Sequence, residues 1–333
     1  MKNMIKKVAV GMTMVMALGV FTGCGSEKKE ADKVASIPKV GIIQLVEHQA
    51  LDSANKGFVD AMKKRGFVDG ETVKYDQQNA QADQSNLQNI SQRFVNDKVD
   101  LICAIATPAA QSVANATTTI PIVGTAITDY KVAKLVKSAE KPGTNVTGTT
   151  DMNPVDRQLD LLLSFVPNAK KIGTIYNSSE VNSQIQVELL KKFAKAKGIE
   201  VKEATVSTVN DIQQAGQSLV ADKVDAIYVP TDNVVASAMP VLASITNEAK
   251  LVVICGEAAV VQNGALATVG IDYYKLGLQT GDMAADILEK KSKPEDMAIQ
   301  SLKDMTYTVN ERVAKEIGVT VPKDILAKAE IVK

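Results

Sequence analysis

From Ile37 onward the apolar residues fall into short runs bounded by turn residues: Val40–Ile43, Val73–Tyr75, Leu101–Ala106 and Pro121–Thr125. Between them lie segments with helical spacing. Leu51, Ala54, Phe58, Ala61 and Met62 mark one over about residues 50–65, and Leu87, Ile90 and Phe94 mark another over about 84–95. Strands that alternate with amphipathic helices predict a parallel sheet with crossover helices, because parallel neighbours need a long return connection.

The second half of the chain repeats this pattern. Lys39-Val-Gly-Ile-Ile43 is echoed by Lys171-Ile-Gly-Thr-Ile175, and Asp97-Lys-Val-Asp100 recurs as Asp222-Lys-Val-Asp225, each time leading into an apolar strand. Lys64-Arg65-Gly66-Phe67 is matched by Ala196-Lys197-Gly198-Ile199, a helix end with a glycine cap. Ile120–Gly124 is matched by Leu251–Cys255. The offsets of roughly 125 to 132 residues are those of a duplicated unit rather than a solenoid repeat. The expected fold is therefore α/β, with two similar lobes, each built on a parallel sheet. By analogy with other two-lobed folds, in which a helix crosses back to the first lobe, lobe 1 is expected over 38–126 plus about 272–292, and lobe 2 over about 150–271 plus about 305–333. Segments 127–149 and 293–304 are expected to cross between them.

The first residues change the picture. Lys2, Lys6 and Lys7 precede an apolar run, Val8 to Phe21, and small residues lead to Cys24. This is the layout of a secretory signal over residues 1–23. Phe21-Thr22-Gly23-Cys24 resembles the lipobox of bacterial lipoproteins, with Phe21 where Leu is preferred. Cys24 is thus the expected lipidation site, and two acyl chains there would anchor the protein stably. Residues 24–37, charged and free of aromatics, are expected to form a flexible tether. These features place the protein at the cell membrane, lipid-anchored on the extracytoplasmic face.

Charge and chemistry narrow the function. Lys plus Arg equal Asp plus Glu in the whole chain, and loss of the signal leaves about −3. No basic patch stands out, so nucleic acid is not an expected partner. His48 is the single histidine, and no Cys-x-x-Cys occurs, so no metal and no cofactor are expected. Cys103 and Cys255 lie in apolar strands and read as buried thiols or as a pair.

In open parallel sheets ligands bind beyond the carboxyl ends of the strands. Two such sheets face their ends across one cleft. The loops after matched strands then supply the candidates: Gln44 and Leu51; Thr107, Ala109 and Gln111; Thr125; Asn182 and Ser183; Asp232; and Glu257. Thr107 reads as a helix N-cap with Pro108 at the first helical position, a start that favours a carboxylate. Asp232 offers a charge for an ammonium. Glu257 directly follows an apolar strand. Together these suit a zwitterion, most simply an amino acid.

Thr107–Gln111 (TPAAQ), Thr147–Asp151 (TGTTD), Tyr176–Ser183 (YNSSEVNS), Pro230–Asn233 (PTDN) and Gly264–Gly277 (GALATVGIDYYKLG) together resemble the substrate-binding lipoproteins of ABC transporters associated with tryptophan and tyrosine uptake. The resemblance runs from about Lys39 to the C-terminus. It implies a type I periplasmic-binding-protein fold, two Rossmann-like lobes joined by three crossovers, that closes by hinge motion on an aromatic amino acid and serves an importer permease and ATPase; a monomer is expected. It also implies that Thr107, Ala109 and Gln111 hold the carboxylate, that Asp232 holds the ammonium, and that Gln44, Leu51, Asn182, Ser183 and Glu257 shape the rest. The competing readings are a surface adhesion lipoprotein of the same fold, a carboxylate-dependent extracellular hydrolase, and a repressor. The repressor would need an N-terminal DNA-binding segment where the signal stands. No enzyme signature such as Gly-x-Ser-x-Gly is present, and the chain reads as a binding protein, not an enzyme.

Overall fold

The computed structural model describes residues 37–333, and the signal, Cys24 and nearly all of the tether lie outside them. The first sheet is built from β1 (Lys39–Gln44), β2 (Lys74–Asn79), β3 (Leu101–Ile105), β4 (Ile122–Ile127) and β5 (Val146–Thr150), with β11 (Gln300–Ser301) on the β5 edge. Its order is β2-β1-β3-β4-β5-β11, parallel throughout. Helices α1 (Gln49–Lys64), α2 (Gln84–Asn96) and α3 (Thr107–Ala116) make the crossovers.

The second sheet repeats the plan. Its strands are β6 (Lys171–Asn177), β7 (Glu200–Val206), β8 (Ala226–Val229), β9 (Val252–Cys255) and β10 (Ala267–Gly270), extended by β12 (Thr306–Asn310) and β13 (Ala329–Val332). The order is β7-β6-β8-β9-β10-β12-β13, with only the β10–β12 pair antiparallel. Helices α4 (Val155–Phe165), α5 (Val181–Ala196), α6 (Ile212–Ala221), α7 (Asn233–Ser237), α8 (Met239–Glu248) and α9 (Ala258–Gln262) cover it, and α11 (Glu311–Ile317) and α12 (Lys323–Leu326) lie in the tail. In both sheets the strand order reverses at the first strand, between β1 and β3 and between β6 and β8. A crevice opens at such a switch point.

The repeated Asp-Lys-Val-Asp has the same job twice. Lys98 and Lys223 both take a left-handed turn at φ 52° as their helices end. Asp100 then accepts a bond from Lys39 N at 2.7 Å, and Asp225 accepts one from Lys171 N at 2.8 Å. Each aspartate thereby pins the entry of its central strand.

Segment 127–149, expected to cross between lobes, instead ends in β5, a strand of the first sheet. The chain leaves that sheet only at Asp151–Pro154. Segment 293–304 likewise contains β11, held beside β5 while the Thr147 hydroxyl donates to Met297 O at 2.7 Å. Three short connections therefore join the sheets: 151–154, 271–272 and 302–305.

Helix α10 (Tyr273–Leu288) follows β10 of the second sheet yet packs on the first, where Leu276, Ala284 and Ile287 join its core. Glycines permit the fit. A Cβ on Gly277 would lie 2.0 Å from Ala54 O, and one on Gly57 would lie 2.1 Å from Tyr274 O, so backbone meets backbone where α1 and α10 cross. Burial of these apolar faces stabilises by about 25 cal/mol per Å². Cys103 and Cys255 are separate buried thiols. No described helix is long and apolar enough to cross a membrane.

Candidate functional site

The carboxyl ends of the two sheets meet. A narrow cavity of about 10 Å³ lies between them, lined from the first lobe by Leu51, Ala126 and Thr128, from the second by Asn182, Asp232 and Glu257, and from the crossovers by Asp151 and Tyr273. A wider cavity of about 380 Å³ opens beside it. Leu45, Leu87, Pro108 and Leu135 form its apolar wall, and Asn177 and Glu180 face them from the second lobe.

Four carboxylates are buried here: Asp151, Glu180, Asp232 and Glu257. Among the described residues no Lys or Arg forms an ion pair with any of them. The nearest base is His48, whose Nδ1 stands 3.9 Å from Glu257 Oε1. Desolvation by burial, and then the Asp151 charge, push the Glu257 carboxyl up to about 8. Burial also raises Asp151. Glu180 and Asp232 are raised by burial, and their proximity adds to the rise of Glu180. His48 is lowered, since burial disfavours its charged form. No group of three His, Cys, Asp or Glu among the described residues could hold a metal ion.

Two of the four acids are occupied by the fold itself. Asp232 is the N-cap of α7. It accepts from Val235 N at 2.9 Å, from Asn177 N at 2.6 Å and from Ser183 Oγ at 2.7 Å. Glu180 accepts from Asn182 Nδ2 at 2.9 Å, from Asn233 Nδ2 at 2.5 Å and from the start of α7. The other two face the gap. Asp151 accepts from Thr128 Oγ1 at 2.9 Å and from Tyr273 OH at 2.8 Å. Glu257 Oε1, Asn182 Oδ1 and His48 Nδ1 are buried without a hydrogen-bond partner.

The remaining sequence candidates divide between the cleft and the lobe interiors. Leu51, Asn182 and Glu257 line the narrow cavity, and Gln111 lines the wide one, donating to Ala133 O at 3.2 Å. Ala109 is buried at the start of α3. Thr107 is buried and its Oγ1 has no partner. It is not the N-cap, however. Ala106 holds that place at φ 83°, and Pro108 is the second helical residue. The sharp turn out of β3 forces the cap one residue earlier. An alanine at positive φ stores about 1–3 kcal/mol, as residues at functional sites often do. Gln44 spends its amide within the first lobe, donating to Val46 O and Asp52 Oδ1 at 2.9 and 2.6 Å. The Thr125 hydroxyl bonds Thr149 inside the sheet at 3.3 Å. Ser183 serves Asp232.

Asp151, Tyr273, His48 and Glu180 were not among the chosen candidates. His48 and Glu180 stand in the loops that follow the first strand of each lobe. Asp151 follows β5, a strand that the apolar pattern does not announce, and Tyr273 opens α10 three residues after β10, although both fall inside the TGTTD and GIDYYKLG motifs.

A family model for the ABC transporter substrate binding protein matches residues 39–333. The chain belongs to this family. The substrate-binding protein is 46% identical over 310 residues to a tyrosine-binding protein of Clostridioides difficile (strain R20291), covering 91% of this chain and 89% of that one. A structure described as an ABC domain in complex with L-Trp from Streptococcus pneumonia matches with a TM-score of 0.86 at 39% identity, covering 90% of this chain and all of that one. A ligand-free, open structure of a substrate-binding protein with adhesive properties from Clostridium difficile matches at 48% identity with a TM-score of 0.68, covering 89% of this chain and 99% of that one. More distant type I periplasmic-binding proteins, 14–15% identical with TM-scores of 0.59–0.60, share the fold.

Proposed function

We propose that this substrate-binding protein captures an aromatic L-amino acid, tyrosine or tryptophan, between its lobes and delivers it to the permease and ATPase of an ABC importer. The observation that carries this reading is the narrow cavity. It offers acceptor atoms and buried carboxylates with no fixed cation, a setting that calls for a ligand bearing N–H donors and positive charge. The wide cavity beside it falls in the size range of small-molecule sites and has an apolar wall for a side chain. The C. difficile relative's tyrosine and the S. pneumonia relative's tryptophan support an aromatic one.

Closure of the lobes accompanies binding in this reading. The chain is closer in shape to the tryptophan-bound relative than to the open one, although the open one is closer in sequence. That order supports a closed arrangement here and a hinge through the three connections. The reading also takes the protein to be a monomer, exported and held by lipid on Cys24 at the outer face of the membrane.

Calorimetric titration against the twenty amino acids tests the ligand. Submicromolar binding confined to tyrosine or tryptophan, with a smaller scattering radius on binding, is expected; binding only of a sugar or nucleoside would overturn the reading. Release of a Cys24→Ser variant from the membrane fraction tests the anchor. A second reading, surface adhesion, draws on the adhesive relative. Host-cell binding unchanged by the amino acid would support it.

A further inference from the structure

His48 and Glu257 approach each other from opposite lobes. Each is the N-cap residue of its helix, α1 and α9, and neither side chain caps it. The hydrogen bonds settle the state of His48. Asn233 Nδ2 donates to Glu180, so Asn233 Oδ1 is an acceptor; His48 Nε2, 3.2 Å away, must therefore be the donor. The ring is neutral because it is buried, which leaves Nδ1 as a bare lone pair. Facing it at 3.9 Å is Glu257 Oε1, also without a partner. A proton on Glu257 would not bridge that gap, which exceeds hydrogen-bond length. One nitrogen placed about 2.8 Å from each atom would, with an angle near 90° at the nitrogen. Asn182 Oδ1, a third unpartnered acceptor, lines the same cavity as Glu257. That cavity, about 10 Å³, has room for about one nitrogen-sized group, and Asn233, the partner of His48, lines it beside Glu257.

We infer that His48 Nδ1 and Glu257 Oε1 are the two jaws of an ammonium site, so that the amino group of the ligand itself ties one lobe to the other. This rests on the reading of the cleft as an amino-acid site. An ammonium has three N–H donors, and the third goes to Asn182 Oδ1. Asp151, Glu180, Asp232 and the Tyr273 hydroxyl face Glu257, while Asp52 faces His48 on its own helix. The jaws explain why the lobes would close on an amine: neither lobe alone supplies both acceptors. They also require His48 to stay neutral, because an imidazolium would turn Nδ1 into a donor.

The test compares L-tyrosine and L-tryptophan with their des-amino analogues, 3-(4-hydroxyphenyl)propanoate and indole-3-propanoate, by calorimetry on the full chain. In His48→Gln the amide end keeps the contact with Asn233 but removes the Nδ1 acceptor. The amino acid that binds wild type should then lose about tenfold to a hundredfold in affinity, with its analogue unchanged. His48→Asn, which places an oxygen near Nδ1, should recover part of the loss. As the pH drops well below 6.5, wild-type affinity should fall more steeply than that of His48→Gln, because protonation of Glu257 weakens both proteins alike and protonation of the imidazole weakens wild type alone. Equal loss for amine and analogue, or no loss in a folded His48→Gln, would overturn the inference. Should wild type bind no amino acid, the proposed function fails by itself. The jaws are then read with methylammonium, which must raise the melting temperature of wild type but not of His48→Gln.

Discussion

The Tyr273 hydroxyl lies 2.8 Å from Asp151 Oδ2 although 122 residues separate them. The bond ties the first connection between the lobes to the start of α10, just beyond the second, at the edge of the narrow cavity. Tyr273→Phe removes a donor from a buried carboxylate that keeps only Thr128 and backbone as partners. The variant should lose about 1–3 kcal/mol of unfolding free energy in a urea titration. It should also bind its amino acid more weakly, since the carboxylate then takes up a proton more readily.

The buried acids set a pH dependence. The Glu257 carboxyl, pushed up to about 8 by burial from an ordinary value of 4.5, holds its proton in the folded chain where the unfolded chain has lost it. A raised pKa contributes stability that is full below 4.5 and lost as pH rises toward 8. Asp151, Glu180 and Asp232 are shifted in the same sense. His48, lowered, acts only below its ordinary 6.5, where the unfolded chain gains a proton that the folded one resists. Between pH 6.5 and 8 the acids act alone, so the ligand-free denaturation midpoint should fall across that window. Glu257→Gln should flatten the fall, and a midpoint that rises with pH in wild type would contradict it.

Asp232 and Glu257 should separate stability from affinity. Asp232 accepts three bonds from its own lobe, so Asp232→Ala strips a cap and leaves Asn177 N and Ser183 unpaired. A loss of about 2–4 kcal/mol in denaturant unfolding is expected. Glu257→Gln, at an unpaired oxygen, should unfold nearly as wild type does at pH 6.5 yet bind the amino acid at least tenfold more weakly. Paired denaturation and calorimetry on both variants check this.

Gly277 holds α10 in register one turn beyond Tyr273. Its missing Cβ would meet Ala54 O at 2.0 Å, a backbone atom that cannot swing aside. Gly277→Ala gains about 1 kcal/mol of helix propensity. The displaced helix should nonetheless make the variant about 1–3 kcal/mol less stable. Ligand affinity should fall with it, because Tyr273 moves with the helix. A melting temperature at or above wild type would show that the crossing yields.

Local physics made much of this protein legible in one dimension. Alternating apolar runs and helical stripes set the α/β class, and a repeated Asp-Lys-Val-Asp announced two lobes because each copy ends a helix with the same left-handed turn and leads into an apolar strand. Strand-end logic reached Leu51, Asn182, Gln111 and Glu257, which do line the cavities. It misjudged what Val146–Thr150 does, since a short Thr- and Gly-rich strand carries little apolar signal. It also could not tell an acid consumed by its own helix from one left open. Asp232 and Glu257 look alike along the chain, each a carboxylate after an apolar strand. Only the fold brings Asn177 and Ser183 to one, and His48 from the opposite lobe to the other. The partners of a buried charge are chosen by packing across lobes, over separations that no local pattern records.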